Sequence, residues 1–334
     1  MRIRMTLRPK ARIIGLGSYL PEKILTNQDL EKMVETSDEW IVSRTGMKER
    51  RIAGSTEFSS DMGTAAAKIA LEKTSISPEE IDLILLATMS PDYPSPSTAA
   101  IVQTMLGAKN AAAMDIQAAC SGFLYGLSTA KAYVESGLYR NVLVIAAEKM
   151  SSVIDYTDRN TCVLFADGAA AAVITGDGMG LSIDTICLGS DGSLAELLMI
   201  PAGGARHPTS QETLANRMHF LKMNGRELFK HAVRRMCNAA TNCLNQAGVT
   251  QAQISWVVPH QANVRIIDAI ASNLNIPSEK MYQTLHKYGN TSASSIAIAL
   301  DELTKEHELA SGEQILLVAF GGGLTWGAAL LTKI

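Results

Sequence analysis

The 334-residue chain is conspicuous for what it does not contain. Its longest apolar runs, "IDLILLATM" and "QILLVAFGGGL", have the length of buried strands. They fall well short of the ~20 residues that cross a bilayer. The basic opening "MRIRMTLRPKAR" is followed by no apolar h-region, so a secretory signal is not expected. Five cysteines (Cys120, Cys162, Cys187, Cys237, Cys243) make an odd number without a C-x-x-C pair, which argues against a disulfide framework or a zinc site. The six histidines include no H-x-x-x-H spacing. A reducing, cytoplasmic compartment, no metal and no cofactor are the expectation. A net charge of −3 offers nothing to nucleic acid or to an anionic membrane. Neither G-x-x-x-x-G-K-[ST] nor G-x-S-x-G occurs. "IIGLGSYLP" opens like a dinucleotide fingerprint, but its third glycine is missing and Pro21 stands where the helix should run. "GDGMG" at 176 has no helix after it and reads as a turn.

What the chain does have is core. With 47% hydrophobic and 19% charged residues it can bury a large interior. Short β-rich runs alternate with amphipathic stretches, the pattern of an α/β protein. Strand candidates are "ARIIGLG", "IDLILLATM", "AAMDIQAA", "NVLVIAAE", "CVLFADGAAAAVITG", "ISWVVPH" and "EQILLVAFGGG". The spacing of Phe123, Leu124, Leu127, Ala130 and Val134 predicts a helix over 121–136, ending at Gly137. The chain also repeats itself at a lag near 170, which sets "QAACSGFLYGLS" against "KYGNTSASSIAIAL" and Cys120 against Asn290. Two similar halves, 1–178 and 179–334, are expected. The Gly/Pro-rich segment 189–225 reads as an inserted surface excursion.

Four places could carry chemistry. Cys120 lies at the join of a strand and a helix, where unpaired N–H groups favour a thiolate, although most buried cysteines are inert. His260, in "VVPHQAN", ends a strand, the edge at which α/β proteins place ligands, though isolated histidines are usually structural. Asn290 follows a glycine, which is also ordinary turn chemistry, and Thr291 and Ser292 could cap the next helix. The glycines of "AFGGGLTWG" allow close backbone approach, with the Gly322 N–H a candidate to face an oxyanion; the plain alternative is a tight turn.

In this order, "DIQAACSGF", "VVPHQAN", "YGNTSAS" and "AFGGGLTWG" resemble the β-ketoacyl-acyl-carrier-protein synthase III family of the thiolase superfamily. "TSDEWIVSRTGMKERR" and "TDRNTCVLFADGAAAAV" extend the likeness over nearly the whole chain. The resemblance implies a thiolase-like fold, two pseudo-symmetric βαβαβαββ halves in an αβαβα arrangement of five layers, paired as a homodimer. It implies that a short acyl-CoA, acetyl-CoA above all, acylates Cys120, with the oxyanion held by the N–H groups of Cys120 and Gly322. Malonyl-acyl-carrier-protein then loses CO2 and attacks the acyl-enzyme, while His260 and Asn290 hold the enolate-like oxygen. The product is a 3-oxoacyl-carrier-protein, the first step of fatty acid biosynthesis.

The resemblance also implies that Trp40 and Arg159 flank the CoA adenine, Arg44 meets polar or phosphate groups, and Gly225 and Asn263 border the pantetheine. A capping box of Thr36 with Glu39 would open the Trp40 helix. Lys230 and Arg265 are the expected contacts for the acidic carrier, although Asp268, Ser272 and Asn273 stand where other members have lysines. Arg226 makes the mouth more basic. Ser95, small, would border the partner subunit's acyl pocket. Degradative thiolases need a second cysteine near the C-terminus, and none follows Cys243. Chain-elongating synthases use a second histidine, where this chain has Asn290. A hydroxymethylglutaryl-type synthase would need a catalytic glutamate, for which Glu148 is the candidate. The remaining alternatives are an acyltransferase or starter synthase of specialised metabolism using the same Cys120, and a non-catalytic acyl-binding homologue.

Overall fold

The computed structural model describes residues 9–334; the first eight residues of the basic opening lie outside it. Nine strands form one hydrogen-bonded sheet: β1 (Arg12–Tyr19), β2 (Leu83–Ala87), β3 (Ala112–Ile116), β4 (Asn141–Lys149), β5 (Asp167–Thr175), β6 (Leu181–Ser190), β7 (Ile254–Pro259), β8 (Gln314–Gly321) and β9 (Thr325–Lys333). Their order, β7-β8-β9-β6-β1-β5-β4-β2-β3, is nearly a palindrome about its centre. On one side β1, β5 and β4 pair antiparallel, and β2 joins β4 and β3 in parallel. On the other, β6, β9 and β8 pair antiparallel and β7 joins β8 in parallel. A parallel bridge from Val257 to Met281 stands where a fifth strand would lie. At the seam β1 and β6 share two residue pairs, Arg12–Ser182 and Ile13–Leu181.

The main helices are α1 (Asp38–Thr45), α2 (Ser59–Glu72), α3 (Thr98–Leu106), α4 (Gly122–Ser136), α5 (Gly225–Ala247), α6 (Val264–Leu274) and α7 (Ser295–Glu306). Period-two burial sorts them into layers. On β4, Val142, Val144 and Ala146 face a core shared with β8, while Leu143, Ile145 and Ala147 face α2 and α3. On β8, Ile315, Leu317 and Ala319 face the shared core, and Leu316, Val318 and Phe320 face α5 and α6. Helices α4 and α7 fill the middle. These are the five layers that the resemblance implied. Strands covered on both faces carry no polar alternation, which is why they read as continuous apolar runs.

The glycines of "IIGLG" have a packing cause. A Cβ at Gly17 would stand 2.5 Å from the Ala66 carbonyl oxygen and the Ala70 nitrogen of α2, so the bare backbone lets the helix lie against β1. Three local expectations change. β5 starts at Asp167, because Arg159–Cys162 forms a helical turn capped by the Asp158 carboxylate. β6 is a strand that the apolar runs do not single out. The 189–225 segment is more than a surface excursion: Leu198–Met199 pairs with Lys222–Met223 and packs over the cavity described next.

Candidate active site

Cys120 sits in a 3₁₀ turn, Ala119–Ser121, that leads into α4, and Ala119 adopts a left-handed φ of 44°. A matching turn, Ser292–Ser294, leads into α7, and there Ser292 has φ 52°. The counterpart of Cys120 is therefore Ala293, and Asn290 lies ahead of that position. Setting Asn290 against Cys120 is out of step because the small residues of "NTSASS" conceal where turn becomes helix. The two turns nonetheless meet, with Cys120 Sγ 3.6 Å from Ser292 Oγ. Neither Thr291 nor Ser292 caps α7. Ser294 precedes the helix, and its hydroxyl donates instead to the carbonyls of Gly168 and Thr291.

Asn290 does two jobs. Its Oδ1 accepts the Ser292 N–H at 2.9 Å, closing an Asx turn, so the turn reading of Gly-Asn holds. That leaves Nδ2 as the free end, a donor. His260 follows β7 with its N–H on the Val318 carbonyl at 2.8 Å, and its Nδ1 lies 2.6 Å from Ser295 Oγ. That hydroxyl also accepts the Gln261 N–H at 3.4 Å. A hydroxyl that accepts there is free to donate to Nδ1, which puts the imidazole proton on Nε2. Burial lowers His260 to about 4, so the ring is neutral near pH 7.

The thiol departs from expectation. Burial pushes Cys120 up to about 12, and the Ser292 hydrogen bond only partly offsets this. Desolvation opposes the pull of the helix N-terminus on the thiol, since Cys120 is 4% exposed and burial disfavours its charge.

Cys120, His260 and Asn290 line one cavity of about 130 Å³, walled by Phe165, Leu198, Met236 and Phe320. The cavity shares Met223, Gly225, Phe229 and Asn263 with a wide mouth of about 850 Å³ bordered by Trp40, Arg44, Arg159, Arg226, Lys230 and Arg265. A basic entrance thus runs into an apolar shaft that ends on sulfur. At the entrance the Arg159 guanidinium lies 4.9 Å over the Trp40 ring and donates to the Glu35 carbonyl at 2.9 Å. The Trp40 helix is capped by Ser37, whose Oγ accepts the Trp40 N–H at 3.1 Å; the Thr36–Glu39 box does not form, since α1 starts one residue later than that box requires. Lys230 is paired with Glu227 at 2.9 Å, whereas Arg226 and Arg265 are exposed.

Other candidates sit elsewhere. Gly321 packs against the Cys120 turn, where a Cβ would come within 2.6 Å of the Cys120 nitrogen, and a Cβ on Gly322 would meet the Leu198 carbonyl oxygen at 3.0 Å. Ser95 is exposed and lines neither the cavity nor its mouth. Glu148 is fully buried beside the Cys120 turn and does not line the cavity, so it does not stand where a hydroxymethylglutaryl-type acid would act. Asp268, Ser272 and Asn273 are exposed on α6. The other four cysteines are free thiols in or against the core under α5. Ser295, which orients His260, and Phe229, Leu198 and Met223, which wall the shaft, had no sequence signal beyond being polar or apolar in the right stretch.

Residues 114–192 match the family model for 3-oxoacyl-[acyl-carrier-protein (ACP)] synthase III, and residues 244–333 match the model for its C-terminal part. The chain is 57% identical over 326 residues to the beta-ketoacyl-[acyl-carrier-protein] synthase III of Chlamydia muridarum, covering 97% of this chain and 100% of that one. This chain belongs to that family. A crystal structure of the synthase III of Aquifex aeolicus VF5 is 51% identical with a TM-score of 0.89, over 97% of this chain and 100% of that one. The priming β-ketosynthase of the R1128 polyketide pathway is 35% identical with a TM-score of 0.90, over 100% and 99%. Synthase III membership and the thiolase-type fold therefore stand together with the geometry of the Cys120 cavity.

Proposed function

We propose that the chain joins a short acyl-CoA to malonyl-acyl-carrier-protein by decarboxylating Claisen condensation, giving 3-oxoacyl-acyl-carrier-protein, CoA and CO2 and so initiating fatty acid synthesis. The observation that carries this is the single cavity in which a thiol, an imidazole and a carboxamide meet at the foot of a basic mouth. Trp40, Arg159 and Arg44 would hold the nucleotide, and the pantetheine arm would run past Gly225 and Asn263. Cys120 is the nucleophile. Its N–H and that of the "GGG" turn, Gly322 in our assignment, would hold the oxyanion. One such donor is worth about 10²–10³ in rate.

The second half-reaction needs donors rather than a base. Loss of CO2 leaves an enolate-like thioester, and both His260 Nε2–H and Asn290 Nδ2–H can donate to its oxygen. A neutral imidazole suits this role, and a cavity wall without a carboxylate does not repel the malonyl carboxylate or the enolate that forms when neutral CO2 departs. The order is ping-pong. Acyl-CoA and the carrier thioester are substrates, and no cofactor takes part. Lys230, Arg265 and the exposed Arg226 would steer the acidic carrier to the mouth. The halves 1–178 and 179–334 would act as one unit, with Ser95 reaching the acyl pocket of a second copy in a cytoplasmic homodimer. Among the described residues no helix is long and apolar enough to cross a membrane.

A starter synthase of specialised metabolism is the second reading, favoured by the likeness to the R1128 priming enzyme. The primer range separates it from the first reading, and one assay separates both from an acyltransferase. Acetyl-CoA and malonyl-carrier-protein should release CO2 and yield acetoacetyl-carrier-protein. No CO2, with acyl transfer to an alcohol or amine, would move the assignment to an acyltransferase. Intact mass with a panel of acyl-CoAs then reads the primer range from the Cys120 adduct, and Cys120→Ser should carry none.

A further inference from the structure

Acylation must take a proton from a thiol that burial holds protonated, and condensation must return it when Cys120 leaves. The neutral His260 and the Asn290 amide are committed to donation. Beyond the cavity wall lies a group this scheme has not used. Glu148 of β4 is 0% exposed and forms no ion pair among the described residues. Its carboxylate accepts from Ser90 Oγ at 2.5 Å, Met89 N at 3.0 Å, Thr88 Oγ1 and Ser90 N at 3.1 Å and Ala293 N at 3.5 Å. The Ser292 hydroxyl lies 3.6 Å from the Cys120 thiol and beside the Glu148 carboxylate, which accepts the N–H of the next residue, Ala293, at 3.5 Å.

We propose that Glu148 is the proton store of the catalytic cycle, taking the Cys120 proton through Ser292 during acylation and returning it by the same hydroxyl after condensation. This rests on the reading of Cys120 as nucleophile. As the Sγ–acyl bond forms, the thiol proton passes to Ser292 Oγ and the serine's own proton passes to Glu148. The tetrahedral species then expels CoA thiolate, which takes a proton from water at the mouth. In the second half-reaction the carbanion left by CO2 attacks the acyl carbon and the acyl–Sγ bond breaks. The departing Cys120 thiolate takes the Ser292 proton, and Ser292 is refilled from Glu148. One solvent proton is consumed per turnover, by CoA.

The surroundings suit a store. The hydrogen bonds make the carboxylate tenable, whereas desolvation raises its affinity for a proton. β2 and its loop offer Thr88, Met89 and Ser90, and the turn before α7 offers Ser292 and Ala293. The titratable group acting on it from the nucleophile turn is Cys120. Lys149, next along β4, is directed away, with its ammonium on the Gly54 and Glu57 carbonyls. Two buried acids that share one proton titrate as a pair, so the fraction with the proton on Glu148 and the charge on sulfur does not vary with pH between the two pair constants.

That gives a signature a purely structural role would not show. In the full chain, iodoacetamide labelling of the Cys120 peptide should vary less than about twofold from pH 6 to 8.5. Glu148→Gln should label about tenfold more slowly at pH 7, with the rate climbing about tenfold per pH unit. Ser292→Ala should do the same, and Glu148→Asp should restore the plateau. A wild-type rate that itself climbs tenfold per unit overturns the proposal, as does a plateau retained in either the glutamine or the alanine variant. If Glu148→Gln fails to fold by circular dichroism, Ser292→Ala, which keeps every other Glu148 donor, decides. Cys120→Ser labelled at that peptide would instead overturn the nucleophile assignment, and the proton store with it.

Discussion

Ala119 and Ser292 hold the same left-handed backbone conformation, φ 44° and 52°, one in each half, each at the start of a 3₁₀ turn that feeds a central helix. Such a conformation costs a non-glycine residue of order 1 kcal/mol or more and persists where packing imposes it. Here it aims the next residue of one turn, Cys120, and the side chain of the other, Ser292, at each other. The shared geometry of the two turns is what brings Cys120 of one half against Ser292 of the other.

Asn290→Asp should separate the half-reactions. The substitution keeps an oxygen for the Ser292 N–H and replaces the donor amide by an acceptor. Acylation by acetyl-CoA, read by intact mass, should stay within about threefold of wild type, and CO2 release should fall about 10²-fold or more. Equal loss of both would show that the amide serves the turn alone.

Gly321→Ala should disable acylation. The added Cβ would fall 2.6 Å from the Cys120 nitrogen, so the nucleophile turn or the glycine loop must shift. We expect at least about a 10²-fold lower acylation rate with the far-ultraviolet circular dichroism unchanged. Normal acylation kinetics would remove the glycine loop from the site.

Trp40→Ala and Arg159→Ala should each raise the KM for acetyl-CoA about tenfold and leave kcat within a few-fold, the loss of a stacking contact worth about 1–2 kcal/mol. The double variant should be less than additive, since the two side chains also hold each other. An acetyl-pantetheine substrate, which lacks the nucleotide, should not distinguish any of them from wild type.

His260 makes the fold acid-sensitive. An unfolded chain binds a proton on this imidazole below its ordinary 6.5, and the folded one resists down to about 4. The stabilisation is complete above pH 6.5 and is lost as the pH falls toward 4, by about 3 kcal/mol at 1.36 kcal/mol per unit. Urea denaturation of wild type against His260→Gln should show the gap between them change by roughly that amount from pH 7 to pH 4. A constant gap would mean that the imidazole is not desolvated.

Gly17→Val should destabilise the first half rather than the chemistry. With the Ala66 oxygen and Ala70 nitrogen 2.5 Å from any Cβ, α2 must lift off β1. A loss of about 2–4 kcal/mol in chemical denaturation is expected, with KM for acyl-CoA unchanged in the fraction that remains folded.

Much of this was legible in the residues themselves. Cys120, His260 and Asn290 each stand where an apolar run gives way to a turn, a local event, and the buried strands are local patterns too. The mouth could be assembled from Trp40, Arg44, Arg159 and Arg265 only through the resemblance, because they come from three separate segments. The misreadings have a common cause. The burial that opposes ionisation of the Cys120 thiol is not local: Phe165, Phe320 and Leu198, which wall its cavity, all lie more than forty residues away. Which of Ser37 and Thr36 caps α1 turns on a one-residue difference in backbone path. Glu148 is legible in the sequence only as the glutamate of an alternative reading; its contact with the turn at Ala293 joins segments 145 residues apart.

The narrow seam between β1 and β6, two residue pairs wide, has a consequence for how activity is lost. Little backbone bonding crosses there, so cohesion across the middle of the molecule falls to α4, α7 and the side chains around them. A thiol on one side and its helpers on the other make turnover a measure of registry: a slip of an ångström at that contact would silence the enzyme while leaving each side intact.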